Sequence, residues 1–358
     1  MFGEVLTAIV TPFDATGAVN YERFRELATH LVEDGSDGLV VAGTTGESPT
    51  LSDDERLELV AAAVDTVGDR ATVVAGTGTY STAHSVHLTE RAHELGVDGF
   101  LVVTPYYNKP PPRGIVEHFK AVAAVSDKPI VVYNIPARVV LNLETETIAE
   151  LAEIPTVRAV KQANDDLEQA SRIVDLGLAL YAGDDPLILP FLELGGVGGV
   201  CVHTHVVGPQ VKELITRFRE GDIDGARRLE QETAPALEIL KVQTNPIAIK
   251  AALNLLGHDV GGLRLPLVET AAALLASEGV SVEVLELNGN PAWNEDAVLA
   301  TVRKTSKIVL VHGEAGGTEA AGLVAVIAER AFEDLDGPVR RVRADADLAA
   351  ELRDLAAF

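Results

Sequence analysis

The chain has 358 residues, of which 47% are hydrophobic and 23% are charged, and its formal net charge is −25. This length accommodates one large α/β domain of roughly 250 residues together with a smaller unit. Asp and Glu outnumber Lys and Arg by 54 to 29, and this acidic balance argues against nucleic acid and anionic membranes as partners. The charge is typical either of a salt-rich cytoplasm or of an ordinary acidic surface.

The cysteine content and the chain start indicate the compartment. A single cysteine, Cys201, excludes an intramolecular disulfide and fits a reducing environment. No apolar run is long enough for a transmembrane helix. The first residues, Met1-Phe2-Gly3-Glu4, lack the basic and apolar regions of a secretion signal. We therefore expect a cytoplasmic protein.

Short apolar runs alternate with helical patterns along the first part of the chain. Strands are predicted at residues 5–11, 38–42, 72–75, 99–104, 129–134, 156–163, 178–183 and 199–202. Helices are predicted at 21–33, 81–95, 114–125, 144–151 and 210–220, and a further helix opens with the capping-box pattern Ser52-Asp53-Asp54-Glu55. Eight strands, each followed by a helix, within about 220 residues predict a (β/α)8 barrel. A doubly wound sheet is the alternative, but the first strand runs into Thr11-Pro12-Phe13 without a glycine-rich phosphate loop.

The remaining chain divides into two segments. Helices are predicted at 223–240, 246–256 and 267–277, packing outside the barrel, and a new alternation of strands and helices starts near residue 279. Its predicted elements are a strand at 280–287, a helix at 294–304, a strand at 307–312, a helix at 317–335, a strand at 339–342 and a last helix. We predict a catalytic barrel at 1–222, a helical extension at 223–278 and a small α/β unit at 279–358.

The predicted strand at 156–163 carries a lysine, Lys161, near its carboxyl end. In a barrel the carboxyl ends of the strands form one face, where catalytic groups lie. Burial there favours a neutral lysine amine, which attacks carbonyl groups as an imine-forming nucleophile. Considered alone, the position is more typical of a lysine that extends past the strand end into solvent, as long charged side chains usually do.

Other polar side chains follow the neighbouring strands. Thr44 and Thr45 follow the second strand, where hydroxyls and turn amides can hold a carboxylate. Two of the chain's six tyrosines, Tyr107 and Tyr133, lie at the ends of the fourth and fifth predicted strands. We expect these side chains to converge with Lys161.

Two pairs of potential metal ligands lie near the ends of the last two strands, and we expect neither pair to bind a metal. His203 and His205 would present imidazoles on one strand face, but no carboxylate or cysteine partner stands at ligand spacing. Asp184 and Asp185 are adjacent, so their side chains diverge, and we expect them to form structural hydrogen bonds. Cys201 is predicted to be a small buried residue.

Six motifs in the same order resemble the 4-hydroxy-tetrahydrodipicolinate synthase (dihydrodipicolinate synthase) family, which belongs to the pyruvate-dependent class I aldolases of the N-acetylneuraminate lyase superfamily. The resemblance covers about residues 1–267 and is carried by Ala8-Ile9-Val10-Thr11-Pro12-Phe13, Gly43-Thr44-Thr45-Gly46-Glu47-Ser48, Val103-Thr104-Pro105-Tyr106-Tyr107-Asn108, Tyr133-Asn134-Ile135-Pro136, Val160-Lys161 and Gly183-Asp184-Asp185.

The resemblance implies a role for each matching residue. Lys161 would form an imine with pyruvate, and Tyr133 would act as general acid and base in a proton relay with Thr44 and Tyr107, the latter reaching across a tight dimer. The remaining roles concern substrate binding: Thr45 would hold the pyruvate carboxylate, Arg138 the carboxylate of aspartate semialdehyde, and the backbone of Gly183 and Val200 would line the pocket. A homodimer or homotetramer without cofactor or metal is implied.

Two departures from the family pattern lie close to the implied site. Gln162 stands where a glutamate is usual, and Val139-Val140 stand where small or hydroxylated residues are more common. Neither departure removes an implied catalytic group.

The terminal segment resembles the C-terminal transketolase-like domain of the 2-oxoacid dehydrogenase E1 β subunit. The similar stretches are residues 297–305, 308–312 and 327–339. In that family the domain mediates subunit assembly, and the thiamine diphosphate motif is missing from this chain. We predict an assembly module for a docking partner, with an inert remnant as the alternative.

Three functions remain open from the sequence. The first is condensation of pyruvate with L-aspartate 4-semialdehyde in lysine biosynthesis. The second is a sugar-acid aldolase of the same superfamily, whose members usually lack an arginine at the position of Arg138. The third is a catalytically silent barrel scaffold, which would form no imine at Lys161.

Overall fold

In the computed structural model, residues 1–268, 295–312, 317–343 and 348–357 are described. The chain divides into two compact units, Met1–Val268 and Glu269–Phe358. The predicted strand at 280–287 and nearly all of the predicted helix at 267–277 lie outside the described residues. The predicted boundaries at residues 222 and 278 remain predictions.

Eight parallel strands of the first unit close into a barrel in chain order, with β1 paired to both β2 and β8. The strands are β1 Val5–Ala8, β2 Gly38–Val41, β3 Thr72–Gly76, β4 Gly99–Val103, β5 Ile130–Asn134, β6 Val157–Gln162, β7 Ala179–Ala182 and β8 Gly198–Cys201. This closure confirms the (β/α)8 prediction. The doubly wound alternative is wrong, because such a sheet has two open edges.

Helices surround the barrel and continue beyond it. They are α1 Tyr21–Glu33, α2 Asp53–Val67, α3 Thr82–Glu94, α4 Pro112–Ala123, α5 Pro136–Val139, α6 Thr145–Ala152, α7 Leu167–Asp175, α8 Ile188–Glu193, α9 Thr204–Glu220, α10 Ile223–Val242 and α11 Ile247–Leu255. The predicted capping box is confirmed: Glu55 N donates to Ser52 Oγ over 3.2 Å, and Ser52 N donates to Glu55 Oε2 over 2.9 Å.

Helix α9 begins at Thr204, six residues before the prediction. The predicted helix begins at residue 210, directly after Pro209. In the structure Pro209 lies inside α9. Two residues before it, Val207 departs from helical geometry, with φ −128° and ψ 33°. The amide of Val207 still donates to His203 O over 3.0 Å, which joins the first turn to the rest of the helix.

The barrel interior is apolar up to the carboxyl ends of its strands. The two faces of each strand bury different partners, since neighbouring side chains alternate between the interior and the helix layer. The interior cluster comprises Phe2, Leu6, Ala8, Val40, Val74, Leu101, Val131, Tyr133, Ile135, Val139, Ala159, Ala163, Tyr181 and Val200. This packing closes the barrel below the face at which the candidate site lies.

The second unit contains α12 Glu295–Thr305, β9 Val309–His312, α13 Gly317–Arg330, β10 Arg340–Arg343 and α14 Leu348–Ala356. The strands β9 and β10 pair in parallel, and Val302, Leu310 and Ile327 belong to a small core. The predicted helix at 317–335 is too long. It ends at Arg330 because the backbone of Ala331 leaves the helical region, with φ −142° and ψ 21°, before a short turn at Phe332–Asp334.

None of the helices among the described residues is long and apolar enough to cross a membrane.

Candidate active site

Lys161 lies inside the barrel near the carboxyl end of β6. Its residue is 5% exposed, and its register partner on β5 is Tyr133, which is also 5% exposed. The Lys161 Nζ atom lies 4.3 Å from the centroid of the Tyr133 ring. The alternative of a solvent-exposed lysine is therefore wrong. A buried primary amine with a phenol beside it is an arrangement suited to imine chemistry.

Two of the implied pocket residues, Gly183 and Val200, directly follow β7 and lie on β8, respectively. The amide of Gly183 donates to Gln162 O over 2.7 Å, and a Cβ added to Gly183 would come within 2.7 Å of Ala163 Cβ. Only glycine therefore permits this close approach of the chain beyond β7 to that beyond β6. Val200 is 1% exposed and belongs to the same interior cluster as Tyr133.

The turn after β2 presents the two threonines. Thr45 is buried, and its Oγ1 accepts a hydrogen bond from Asn245 Nδ2 over 2.8 Å. Because that oxygen accepts from Asn245, the hydroxyl proton is available for a further acceptor. The amides of Thr44 and Thr45 donate to no acceptor within residues 1–268. These donors match the predicted carboxylate-binding turn.

Arg138 lies in the short helix α5 and is fixed by a distant loop. Its Nη2 donates to Thr244 Oγ1 over 3.3 Å and to the carbonyl of Asn245 over 3.2 Å. Asn245 thus contacts both Thr45 and Arg138, the two groups predicted to bind carboxylates. Sequence reasoning missed Asn245 because it lies between α10 and α11, outside the barrel strands.

A buried ion pair supports the β2 turn. Glu47 and Lys250 side chains are 0% and 2% exposed, and Lys250 Nζ lies 2.9 Å from Glu47 Oε1. Lys250 also donates to the carbonyls of Thr11 and Gly262, and Arg264 N donates to Glu47 Oε2 over 3.1 Å. The left-handed backbone of Glu47, with φ 55°, is held by these contacts.

Within residues 1–268, no hydrogen bond joins Thr44 or Tyr107 to Lys161. Tyr107 is 91% exposed and has a left-handed backbone, with φ 69°. No hydrogen bond within the barrel unit joins Tyr133 to either residue. A single chain therefore does not assemble the implied relay.

A buried cluster lies at the junction of β8 and α9. One ligand atom each from Asp185, Cys201 and His203 lies within 4.8 Å of the others. The expectation that His203 would have no carboxylate or cysteine nearby is therefore wrong, because folding brings Asp185 across from β7. Backbone amides of Val202 and His203 donate to Asp185 over 2.9 and 3.3 Å. These hydrogen bonds account for the burial of the Asp185 carboxylate without a metal ion. Cys201 is buried, as predicted.

His205 separates from His203 and does not share a strand face with it, because β8 ends at Cys201. Its Nδ1 donates to Val202 O over 2.8 Å, and Val10 N donates to its Nε2 over 3.3 Å. Burial lowers the pKa of His205 to about 4. The ring is thus a neutral bridge between β1 and α9.

Asp184 and Asp185 have different environments. Asp185 accepts hydrogen bonds from the backbone, whereas Asp184 is an exposed residue whose carboxylate forms no hydrogen bond or ion pair within residues 1–268. Partial burial raises the pKa of Asp184 by desolvation, and the charge of Asp185 adds to this rise, while Lys161 and Arg138 oppose it. The structural hydrogen bonding predicted for both residues is confirmed only for Asp185.

Gln162 lies on the outer side of β6, within a layer of amides. It is fully buried, and Asn134 Nδ2 donates to its Oε1 over 3.0 Å while its Nε2 donates to Gln169 Oε1 over 2.6 Å. A neutral amide satisfies these partners without burying a charge. The departure at this position therefore leaves the interior site unaltered.

The barrel and its buried lysine define the class of (β/α)8-barrel lyases. Residues 1–278 match the dihydrodipicolinate synthetase family, and residues 261–351 match the transketolase C-terminal domain. The chain belongs to the dihydrodipicolinate synthetase family.

Individual relatives agree with this assignment. A 4-hydroxy-tetrahydrodipicolinate synthase from Cyanothece sp. is 50% identical over 276 residues, which cover 76% of this chain and 94% of that protein. The enzyme of the same name from Heliobacterium modesticaldum is 49% identical over 75% of this chain and 90% of its own length. A crystal structure of a DHDPS from Cyanidioschyzon merolae with lysine bound is 45% identical, with a TM-score of 0.74 over 78% of this chain and 96% of that chain.

Proposed function

We propose that this protein condenses pyruvate with L-aspartate 4-semialdehyde to give 4-hydroxy-tetrahydrodipicolinate, a step of diaminopimelate and lysine biosynthesis in the cytoplasm. The observation that carries this proposal is the buried amine of Lys161, 4.3 Å from the Tyr133 ring centroid. The names of the relatives support this reaction over a sugar-acid aldolase.

Imine formation uses Lys161 and an adjacent acid and base. The neutral amine attacks the ketone carbon of pyruvate, and loss of water leaves a C=N bond to Lys161. Loss of a methyl proton then gives an enamine, whose carbon attacks the semialdehyde carbonyl. We assign proton transfer during these steps to Tyr133, whose ring centroid lies 4.3 Å from the amine.

The pyruvate carboxylate is assigned to the β2 turn. Thr45 offers a hydroxyl proton, because its oxygen already accepts from Asn245, and the amides of Thr44 and Thr45 offer two further donors. Several N–H and O–H donors that converge on one anion favour its binding. In this assignment the bound carboxylate would orient the ketone carbon toward Lys161.

Arg138 is assigned to the carboxylate of the semialdehyde. Its guanidinium is held by Thr244 and Asn245 at the barrel mouth, and a planar fork of donors suits a carboxylate. Val200 and the backbone of Gly183 complete the pocket wall.

Replacing Arg138 by alanine is expected to raise the KM for L-aspartate 4-semialdehyde by about 10²-fold, because a charge-assisted contact to the carboxylate is lost. The KM for pyruvate should change little. A coupled assay with varied concentrations of each substrate measures both constants. Arg172→Ala is the matched control, since Arg172 is exposed on α7. Unaltered turnover of the semialdehyde by the Arg138 variant would contradict this substrate assignment.

We infer that Tyr107 completes the relay of a second copy of the chain. Its 91% exposure places the phenol outside its own barrel, and Tyr80 and Tyr106 beside it form an edge-to-face pair with centroids 5.4 Å apart. Aromatic groups of this kind are enriched at interfaces. Tyr107, Tyr133 and Thr44 then form the relay only in a homodimer or a homotetramer of such dimers.

Complementation between inactive variants tests this inference. Tyr107→Phe is expected to lower turnover by about 10- to 10²-fold, as loss of a proton-transfer group does, and Lys161→Ala should be inactive. Mixed dimers should regain activity, because one of their two sites combines an intact Lys161 with the partner's Tyr107. A mixture of Thr44→Val and Lys161→Ala serves as control. Thr44 and Lys161 act in the site of their own chain, so each variant chain has a defective site and the mixed dimer should regain no activity. Activity equal to the sum of the separate variants would contradict a shared site.

We propose that residues 279–358 form a unit for assembly or docking. The match of residues 261–351 to the transketolase C-terminal domain supports a folded unit there, and its described part has its own core. We assign no catalytic role to it. The barrel at 1–222 and its extension at 223–278 would carry the reaction.

A further inference from the structure

The second substrate carries three functional groups, and the assignments above account for two of them. L-Aspartate 4-semialdehyde has an aldehyde, which meets the enamine, a carboxylate, which meets Arg138, and an α-ammonium group. An ammonium group taken from water into a partly buried site needs an acceptor, and a carboxylate is the strongest one available in proteins. A carboxylate near both Lys161 and Arg138 would therefore be required.

The acidic residues around the barrel mouth differ in their availability. Glu47 is paired with Lys250, and Asp185 accepts from the backbone of Val202 and His203. The Asp184 carboxylate has no hydrogen-bond or ion-pair partner within residues 1–268 and is exposed. It is the available acceptor among these three.

The backbone fixes Asp184 at the mouth. The strands β6 and β7 pair with Lys161 opposite Tyr181 and Gln162 opposite Ala182, so Asp184 follows β7 two residues after its last strand residue. The amide of Gly183 bonds to Gln162 O, and the carbonyl of Asp184 accepts from Leu187 N over 3.0 Å. Asp184 thus has a defined place beside the strand that carries Lys161.

The charges around Asp184 agree with this position. Desolvation and the charge of Asp185 raise the pKa of Asp184, and the charges of Lys161 and Arg138 oppose this rise. When Arg138 is paired with the substrate carboxylate, a substrate ammonium group would supply a positive charge beside Asp184. The environment therefore favours a cationic ligand.

We propose that Asp184 binds the α-ammonium group of the second substrate and so selects an amino-acid aldehyde over an aldehyde without the amine. This assignment rests on the proposed function. It gives each polar group of the substrate a separate partner: Arg138 for the carboxylate, Asp184 for the ammonium and the Lys161 enamine for the aldehyde.

The test compares two ligands that differ at the amine. Asp184→Asn is expected to raise the KM for L-aspartate 4-semialdehyde by about 10- to 10²-fold, because a hydrogen bond between charged groups is lost. The inhibition constant of 4-oxobutanoate, which has the aldehyde and carboxylate without the amine, should change less than about twofold. Asp165→Asn removes the same charge from an exposed residue that also influences Asp184 electrostatically, and should leave both constants unchanged.

Two results would overturn the proposal. Equal weakening of both ligands by Asp184→Asn would show a general charge effect, and an unchanged KM for the semialdehyde would show no contact. Pyruvyl adduct formation on Lys161, measured by borohydride reduction, verifies that the variant retains the imine step. If the native protein does not turn over the semialdehyde, the proposed function fails. If the native protein is active and the Asp184 variant has the same constants, only the ammonium site fails.

Discussion

Replacing Lys161 by methionine is expected to reduce condensation by about 10³-fold or more, since the thioether cannot form an imine. Methionine has a similar length and is apolar, so it suits a position that is 5% exposed and packed against Tyr133. Loss of activity should therefore occur without loss of the fold. Turnover is measured in the coupled assay, and folding by circular dichroism.

Mass spectrometry after borohydride reduction gives an independent measure of the same step. Borohydride reduces an imine to a stable secondary amine, so the native protein incubated with pyruvate should gain one pyruvyl adduct, located at Lys161. Lys161→Met should gain none, whereas Lys120→Met, which alters an exposed lysine on α4, should retain the adduct. A native protein without an adduct would favour the scaffold alternative, and an adduct on the Lys161 variant would place the nucleophile elsewhere.

Replacing Lys250 by methionine is expected to destabilise the barrel unit by about 3–5 kcal/mol, because it leaves the carboxylate of Glu47 buried without its ionic partner. Glu47 is 0% exposed, so water cannot replace the lost ammonium group. The remaining hydrogen bond from the Arg264 amide compensates only part of the charge. The change is measured as the free energy of unfolding in urea at neutral pH.

A surface ion pair provides the matched control. Lys241 and Glu238 are both 62% exposed and lie 2.6 Å apart, and Lys241→Met should alter stability by no more than about 0.5 kcal/mol. The double variant Lys250→Met with Glu47→Gln should recover part of the loss, since a neutral amide is less costly to bury. Equal effects of Lys250→Met and Lys241→Met would contradict the role assigned to the buried pair.

The ion pair also connects stability with the site. Glu47 follows Thr44 and Thr45 in the same turn, and Lys250 belongs to α11, close in sequence to Asn245. Helix α11 thus holds the β2 turn through Lys250, and the loop before α11 holds it through Asn245. This arrangement explains why the segment after the eighth strand belongs to the catalytic unit.

Local sequence patterns determined the elements of the barrel and the position of its central lysine. Alternating apolar residues predicted each strand, and the Ser52–Glu55 capping box predicted the start of α2 because both partners lie within one helical turn. The placement of Lys161 and Tyr133 near adjacent strand ends followed from the same periodicity. Motif resemblance, rather than periodicity, suggested their chemical roles.

Tertiary structure alone decided which distant groups meet. Asn245 bonds to Thr45 across 200 positions of the chain, and Lys250 pairs with Glu47 across 203, and neither contact has a local pattern that could reveal it. Folding also separated Asp185, which is held by backbone amides, from the unpartnered Asp184, and it left Tyr107 exposed. Periodicity reports which face of a helix or strand is buried, whereas these contacts depend on barrel closure and on the return of α11 to the first strands.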